Sequence, residues 1–231
     1  MSNLYLILIS LFAYFIGSFP TAYLVVKKIT GQDIRKVGSG NIGAMNTLRA
    51  IKDFGKGKLA MVGFLLVLII DMAKGALAVF LAQRLQFWGY DLTLSVIVAA
   101  FFVVLGHNYS IFLKFSGGRG AACLMGILLY SGILSLAVWG LPLILASILA
   151  QIILERIGFE KKINWKKISQ VLSILGSQMA GRMAGLILAP VPLYFYNPKI
   201  FLPVAAGTIL LLIKNVPRFK GYFLKEENYG E

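Results

Sequence analysis

Cysteine, histidine and acidic residues are scarce in this chain. Its 231 residues include one cysteine, Cys123, one histidine, His107, and nine acidic side chains. A single cysteine excludes an intrachain disulfide, and one sulfur cannot build a metal site of several thiolates. No cluster of ligand-type residues indicates a metal ion, so we expect neither a metal nor a cofactor.

Charge of either sign is also low, because 14% of the residues are charged against roughly a quarter in a soluble domain. Hydrophobic residues make up 58% of the chain, and a helix needs about 20 mostly apolar residues to cross a bilayer. We therefore predict an all-α, polytopic integral membrane protein with a single domain over residues 1–231. Its apolar runs lie at 4–26, 59–82, 92–113, 121–154, 168–189 and 200–213.

The run at 121–154 is too long for one span. Ser131, Gly132 and residues 140–142 offer breaks, which divides the run into two short helices and gives about seven transmembrane helices. The first run lacks a basic segment and a cleavage site, so we interpret it as a retained span and not as a signal peptide.

Lysine and arginine are distributed unevenly between the loops. With the N-terminus outside, the inside segments contain 19 of the 23 lysines and arginines, as expected of cytoplasmic loops. This distribution predicts an outside N-terminus and a cytoplasmic C-terminus. Because the charges follow the loops of a membrane protein, we expect membrane lipids as partners and no nucleic acid. The inside segments are 27–58, 114–120, 155–167 and 214–231.

The first glycine-rich loop, residues 33–49, lies in the first inside segment. Glycines bring backbone N–H groups close to an anion, and a serine hydroxyl and an arginine fork complete a phosphate cradle. The alternative is a turn that only joins two spans. The candidate ligands are Gly38, Ser39, Gly40, Asn41, Gly43, Asn46 and Arg49.

The second glycine-rich loop, residues 106–120, ends directly before a predicted helix. The free N–H groups and the dipole of a helix N-terminus favour an anion there. The alternative is a turn that only connects two helices, which would have the same sequence pattern. Two such loops on one side of the membrane predict phosphate recognition. The candidates here are Gly117, Gly118, Arg119 and Gly120.

Ionisable residues within the apolar runs have two interpretations each. His107 could be an acid, a base or a phosphate donor, or only a packing residue. Asp71 and Lys74 share a helix face and favour a structural ion pair, and Lys74 is also a candidate substrate ligand. Arg182, in the sixth predicted span, needs a carboxylate, a backbone carbonyl or an anionic ligand, which leaves a small anion or lipid transporter open.

Together these stretches resemble the bacterial acyl-phosphate-dependent glycerol-3-phosphate acyltransferases, seven-helix enzymes that make lysophosphatidic acid at the cytoplasmic face of the plasma membrane. The resemblance covers most of residues 1–125 and the C-terminal segment. Its motifs lie at 17–23, 39–49, 71–75, 106–120 and 215–218.

The resemblance implies that Ser39 and Arg49 hold the phosphate of glycerol 3-phosphate. Arg119, usually a lysine in the family, would add charge, while the surrounding glycines would cradle the acyl phosphate and Asn215 would align the reacting groups. The implied reaction is direct attack of the sn-1 hydroxyl on the acyl carbonyl, without an acyl-enzyme. His107 is a further catalytic candidate.

Several positions depart from the family pattern. Leu212 stands where the family has a histidine, Met45 and Cys123 replace threonines, and residues 109–110 replace Phe-Pro. These departures leave open a homologue that is inactive or that acylates another acceptor. No pattern in the sequence indicates the acyl-chain preference or the oligomeric state.

Overall fold

In a computed structural model, the protein is described over residues 4–85, 89–167, 170–171, 174 and 177–224. Every regular element in these ranges is helical, which confirms the predicted all-α class. The α-helices are α1 (Leu4–Ser18), α2 (Thr21–Thr30), α3 (Ala44–Asp53), α4 (Gly57–Arg84), α5 (Leu92–Asn108), α6 (Ala121–Ser131), α7 (Ile133–Arg156), α8 (Met179–Leu188), α9 (Pro190–Tyr196) and α10 (Pro198–Leu224).

Five segments of the described chain are long and apolar enough to cross a membrane. Large apolar side chains are exposed along them, as on a surface that faces lipid. The chain is therefore a polytopic membrane protein, whereas the count of seven spans and the orientation of the termini stay predictions. The five segments are Leu4–Thr30, Gly57–Arg84, Leu92–Leu113, Ile133–Arg156 and Pro198–Leu224.

Two apolar runs are interrupted. The first run bends at residues 19–20, where Pro20 lacks the N–H that a continuous helix needs. The long run breaks at Gly132, whose φ of 126° favours glycine. Its division into two helices is confirmed, but only the first is short, because α7 has 24 residues. The second candidate break, residues 140–142, lies inside α7. The 11 residues of α6 extend about 17 Å, which is too short to cross a bilayer core alone.

The predicted span at 168–189 lies partly outside the described residues, which omit 168–169, 172–173 and 175–176. Its end forms α8. The next helix, α9, follows after one residue and ends at Tyr196.

Glycines bring several pairs of helices into backbone contact, and two of these crossings lie beside the second glycine-rich loop. Where α1 crosses α5, a Cβ on Gly17 or Gly106 would overlap a carbonyl oxygen of the opposite helix. The same holds where α4 crosses α6, at Gly75 and Gly126. Small residues at such crossings are the usual means of close packing between helices in a membrane. The two crossings flank the second glycine-rich loop, which connects α5 to α6.

Candidate active site

Positive φ angles shape the first glycine-rich loop. Gly38 and Gly40 have φ values of 53° and 66°, a region that favours glycine over other residues. A Cβ on Gly38 would also overlap the side-chain oxygen of Asn46. Glycine is therefore required at residue 38 for two independent reasons, and the loop bends tightly on either side of Ser39.

Asn46 is almost completely buried and holds this loop from within. Its Oδ1 accepts the backbone N–H of Ser39 at 3.0 Å, and its Nδ2 donates to the carbonyls of Ile34 at 3.2 Å and Val37 at 3.0 Å. Both hydrogens of the amide are thereby used within the loop. The structure thus gives Asn46 a part in positioning Ser39.

The start of the first loop is fixed by an ion pair. The guanidinium of Arg35 lies 2.6 Å from the Asp33 carboxylate, which also accepts the Arg35 backbone N–H at 3.0 Å. The hydrogen bond from Arg35 is the main reason why the pKa of Asp33 falls to about 2.

The second glycine-rich loop touches the first one at Gly118. The backbone N–H of Gly118 donates to the carbonyl of His107 at 2.9 Å. A Cβ on Gly118 would overlap both the His107 imidazole and the carbonyl of Ile42, a residue of the first loop. Gly120, with a φ of 82°, then turns the chain into α6. Glycine at residue 118 is therefore what lets the two loops meet.

A pocket of about 200 Å³ opens where both loops reach α10. It gathers Ser39, Gly40 and Asn41 from the first loop and Arg119 from the second. Sequence analysis singled out these four residues but not the cations of α10 beside them. The complete lining is Ser39, Gly40, Asn41, Arg119, Lys214, Pro217 and Arg218.

Arg218 lies in the motif at 215–218 but was not predicted as a site residue, and Lys214 was missed, because their charge is typical of any cytoplasmic segment. The signal that could have revealed them is their spacing, since residues i and i+4 share one face of a helix. That face, on α10, is the one that borders the pocket.

Positive charge accumulates around Arg119. Burial, together with the charges of Arg218, Arg182 and Arg49, lowers the pKa of Arg119 to about 9. Lys214 is also repelled by Arg119. Arg49 and Arg182 therefore belong to the same electrostatic environment as the pocket, although neither lines it. This concentration of cations is suited to an anionic ligand.

Two further residues of α10, Asn215 and Leu212, are not among those that line this pocket. Asn215 is buried, and its Nδ2 donates to the carbonyl of Leu211 at 2.8 Å, while its Oδ1 has no hydrogen-bond partner among the described residues. Leu212 is half-buried and packs against the main hydrophobic cluster of the bundle. Gly43 is the residue directly before α3, and it is not among the residues that line the pocket.

Lys74 and His107 lie in a second, smaller cavity beside the break between α1 and α2. The ammonium of Lys74 lies 2.6 Å from the Asp71 carboxylate and 2.6 Å from the carbonyl of Phe19. The predicted ion pair is therefore confirmed. His107 Nδ1 lies 4.0 Å from the same carboxylate. The roles of Lys74 as a ligand and of His107 in catalysis stay predictions.

This smaller cavity has a volume of about 10 Å³, which corresponds to about one water molecule. The hydroxyls of Ser18 and Thr21 line it, and both lack a hydrogen-bond partner in the described part of the chain. No three acidic, histidine or cysteine side chains come together within the described ranges.

The family model for glycerol-3-phosphate acyltransferase matches residues 7–221. This chain belongs to the glycerol-3-phosphate acyltransferase family. The family assignment made from the sequence motifs is thereby confirmed.

Curated members of the family align with part of the chain. Glycerol-3-phosphate acyltransferase 1 of Dehalococcoides mccartyi is 42% identical over 132 residues, which cover 57% of this chain and 56% of the relative. Glycerol-3-phosphate acyltransferase 2 of Moorella thermoacetica is 48% identical over 117 residues, or 51% of this chain and 54% of the relative. The chain thus matches little more than half the length of these relatives.

Solved structures of a glycerol-3-phosphate acyltransferase share the fold. The crystal structure of PlsY, an integral membrane glycerol 3-phosphate acyltransferase in its glycerol 3-phosphate form, superposes with a TM-score of 0.64 at 20% identity. The match covers 98% of this chain and 94% of PlsY. The lysophosphatidic acid form of PlsY gives the same values.

Proposed function

We propose that this member of the glycerol-3-phosphate acyltransferase family transfers an acyl group from an acyl phosphate to the sn-1 hydroxyl of glycerol 3-phosphate. The products are lysophosphatidic acid and inorganic phosphate. The observation that carries the proposal is the pocket that Ser39 and Asn41 of the first loop line together with Arg119 and the cations of α10. Both substrates carry a phosphate, which such a pocket is suited to bind.

The chemistry follows from the groups that line the pocket. The sn-1 oxygen attacks the acyl carbonyl, a carbon–oxygen bond to the glycerol forms, and the acyl carbon–oxygen bond to phosphate breaks. No carboxylate or imidazole is among the lining residues of this described pocket. The hydroxyl proton therefore passes to an oxygen of the departing phosphate. No enzyme-bound acyl group forms.

Positioning supplies much of the rate acceleration in this scheme. Holding two reactants in register is worth about 7–11 kcal/mol in favourable cases. Cationic and N–H donors near the carbonyl would stabilise the negative charge that develops on its oxygen. The hydrogen bonds that place Ser39 and Gly118 support such a role, because they fix the loops before a ligand binds.

We place this reaction at the cytoplasmic face of the bacterial plasma membrane, in a protein of seven spans with an outside N-terminus. The distribution of lysine and arginine supports this orientation. Two water-soluble phosphate groups would then reach the pocket from the cytoplasm while the acyl chain stays in the bilayer.

The direct test uses purified protein in detergent or nanodiscs with palmitoyl phosphate and glycerol 3-phosphate. We expect lysophosphatidic acid by mass spectrometry and an equal amount of inorganic phosphate. Palmitoyl-coenzyme A should not replace the phosphate donor. Absence of product, under conditions in which the Moorella relative turns over, would refute the proposal. Product from the thioester but not from the acyl phosphate would refute the choice of donor.

A further inference from the structure

Lys214 of α10 places its ammonium over an aromatic ring. Its ammonium lies 4.1 Å from the centre of the Tyr109 ring, within the range of a cation–π contact. Tyr109 is itself anchored at the end of α5, where its N–H donates to Leu105 at 2.8 Å. Its carbonyl accepts the Tyr14 hydroxyl at 2.7 Å. The backbone that carries the ring is therefore held in place on both sides of the residue.

The same ammonium-bearing side chain lines the pocket beside Arg119 and Arg218. Lys214 is half-buried, and its charge is close enough to Arg119 for repulsion between them. Three cations that line one pocket repel one another, and burial strengthens the repulsion. A bound anion would offset it.

Charge counting also favours a role for these three cations. A phosphate monoester carries about 1.5 to 2 negative charges at neutral pH, so two phosphates bring about 3 to 4. The family resemblance accounts for two cations, Arg49 and Arg119. Lys214 and Arg218 bring the cations that line the pocket itself to three, while Arg49 and Arg182 act on Arg119 without lining the pocket.

We propose that Lys214 is a substrate-binding residue whose ammonium, supported by the Tyr109 ring, binds a phosphate dianion together with Arg119 and Arg218. The inference rests on the proposed function, in which that phosphate belongs either to the acyl phosphate or to glycerol 3-phosphate. An ammonium seated on a ring face keeps N–H donors on its other side, where a phosphate oxygen can accept them.

The test compares Lys214→Met with Lys214→Arg and with Lys220→Met. Lys220 is an exposed lysine of the same helix and serves as the matched control. Orthophosphate binding is measured by titration calorimetry, without turnover. We expect the Kd to rise about tenfold or more in Lys214→Met, the effect of losing a charge-assisted hydrogen bond. Lys214→Arg should recover part of the affinity, and Lys220→Met should bind normally.

Steady-state kinetics then identify the source of the phosphate. A rise in KM for palmitoyl phosphate alone assigns Lys214 to the donor, and a rise for glycerol 3-phosphate alone assigns it to the acceptor. If Lys214→Met does not fold, Tyr109→Leu provides the test, because it removes the support and keeps the charge. We expect it to weaken phosphate binding less than Lys214→Met.

The inference is wrong if folded Lys214→Met and Tyr109→Leu leave the orthophosphate Kd and both KM values unchanged, even if kcat falls. Failure of the proposed function gives a different result. In that case the parent protein forms no lysophosphatidic acid, while Lys214→Met still weakens orthophosphate binding.

Discussion

The ion pair between Lys74 and Asp71 lies inside the bundle, with side-chain exposures of 6% and 2%. Lys74→Met would remove the two 2.6 Å hydrogen bonds of the ammonium and leave the carboxylate buried without a cation in contact. Removing one partner of such a pair costs about 3–5 kcal/mol. For a chain of this size, that corresponds to a fall in Tm of about 6–20 °C.

The double variant Asp71→Asn/Lys74→Met separates the cost of an unpaired charge from the cost of altered packing. Replacing both partners removes the buried charge, so we expect at least half of the lost stability to return. Lys58→Met is the matched control, because Lys58 is an exposed lysine of the same helix. Its Tm should stay within about 2 °C of the parent, as for most surface substitutions.

Cys123 provides a convenient assay for these variants. It is the only cysteine in the chain and is completely buried, so a fluorogenic maleimide reports its exposure as the bundle unfolds on heating. The single variant Asp71→Asn completes the cycle. If the double variant unfolds at or below the temperature expected from the sum of the losses in Lys74→Met and Asp71→Asn, Lys74 and Asp71 are not energetically coupled. The reasoning from the buried pair would then be refuted.

Three further predictions concern the loops and the topology. Gly118→Ala should lower kcat/KM about 100-fold, since the added methyl group displaces both loops, whereas Gly57→Ala, with open space around it, should not. An equal effect of both would contradict this. In a cysteine-free background, an impermeant maleimide added to intact cells should label Lys199→Cys but not Lys28→Cys. Labelling of Lys28→Cys alone would show that the orientation is opposite to the predicted one. The lowered pKa of Asp33 stabilises the protein above about pH 4, and this contribution is lost as the pH falls toward 2. The Tm of the parent should therefore fall more steeply with acid than that of Asp33→Asn, and parallel curves would exclude the effect.

Much of the fold could be predicted from the sequence because long apolar runs have few solutions in a bilayer. The breaks within the apolar runs were harder to predict, because mean hydropathy is averaged over many residues and does not show where a helix ends. Gly132 and Pro142 are both recognised breakers, yet only Gly132 ends a helix. The backbone of Gly132 has a φ of 126°, whereas Pro142 is accommodated within α7.

The candidate site divides in a similar way. Local composition identified the loops that contain Ser39 and Arg119, because glycine and serine density is a property of short segments. The contribution of Lys214 depends on a contact with Tyr109, more than 100 residues earlier, which no periodicity encodes. Arg182 illustrates the same limit, since only the fold shows that its charge acts on Arg119.

The glycine crossings have a consequence for how the protein responds to its lipid surroundings. Gly106 anchors the beginning of the second loop and Gly75 contacts the helix that follows its end. Contacts between backbones contain no rotatable side-chain bonds, so we expect changes in bilayer fluidity to reorder the outer side chains and to leave the separation of these anchors unchanged. Substrate affinity should accordingly be similar in fluid and rigid membranes, even where thermal stability differs between them.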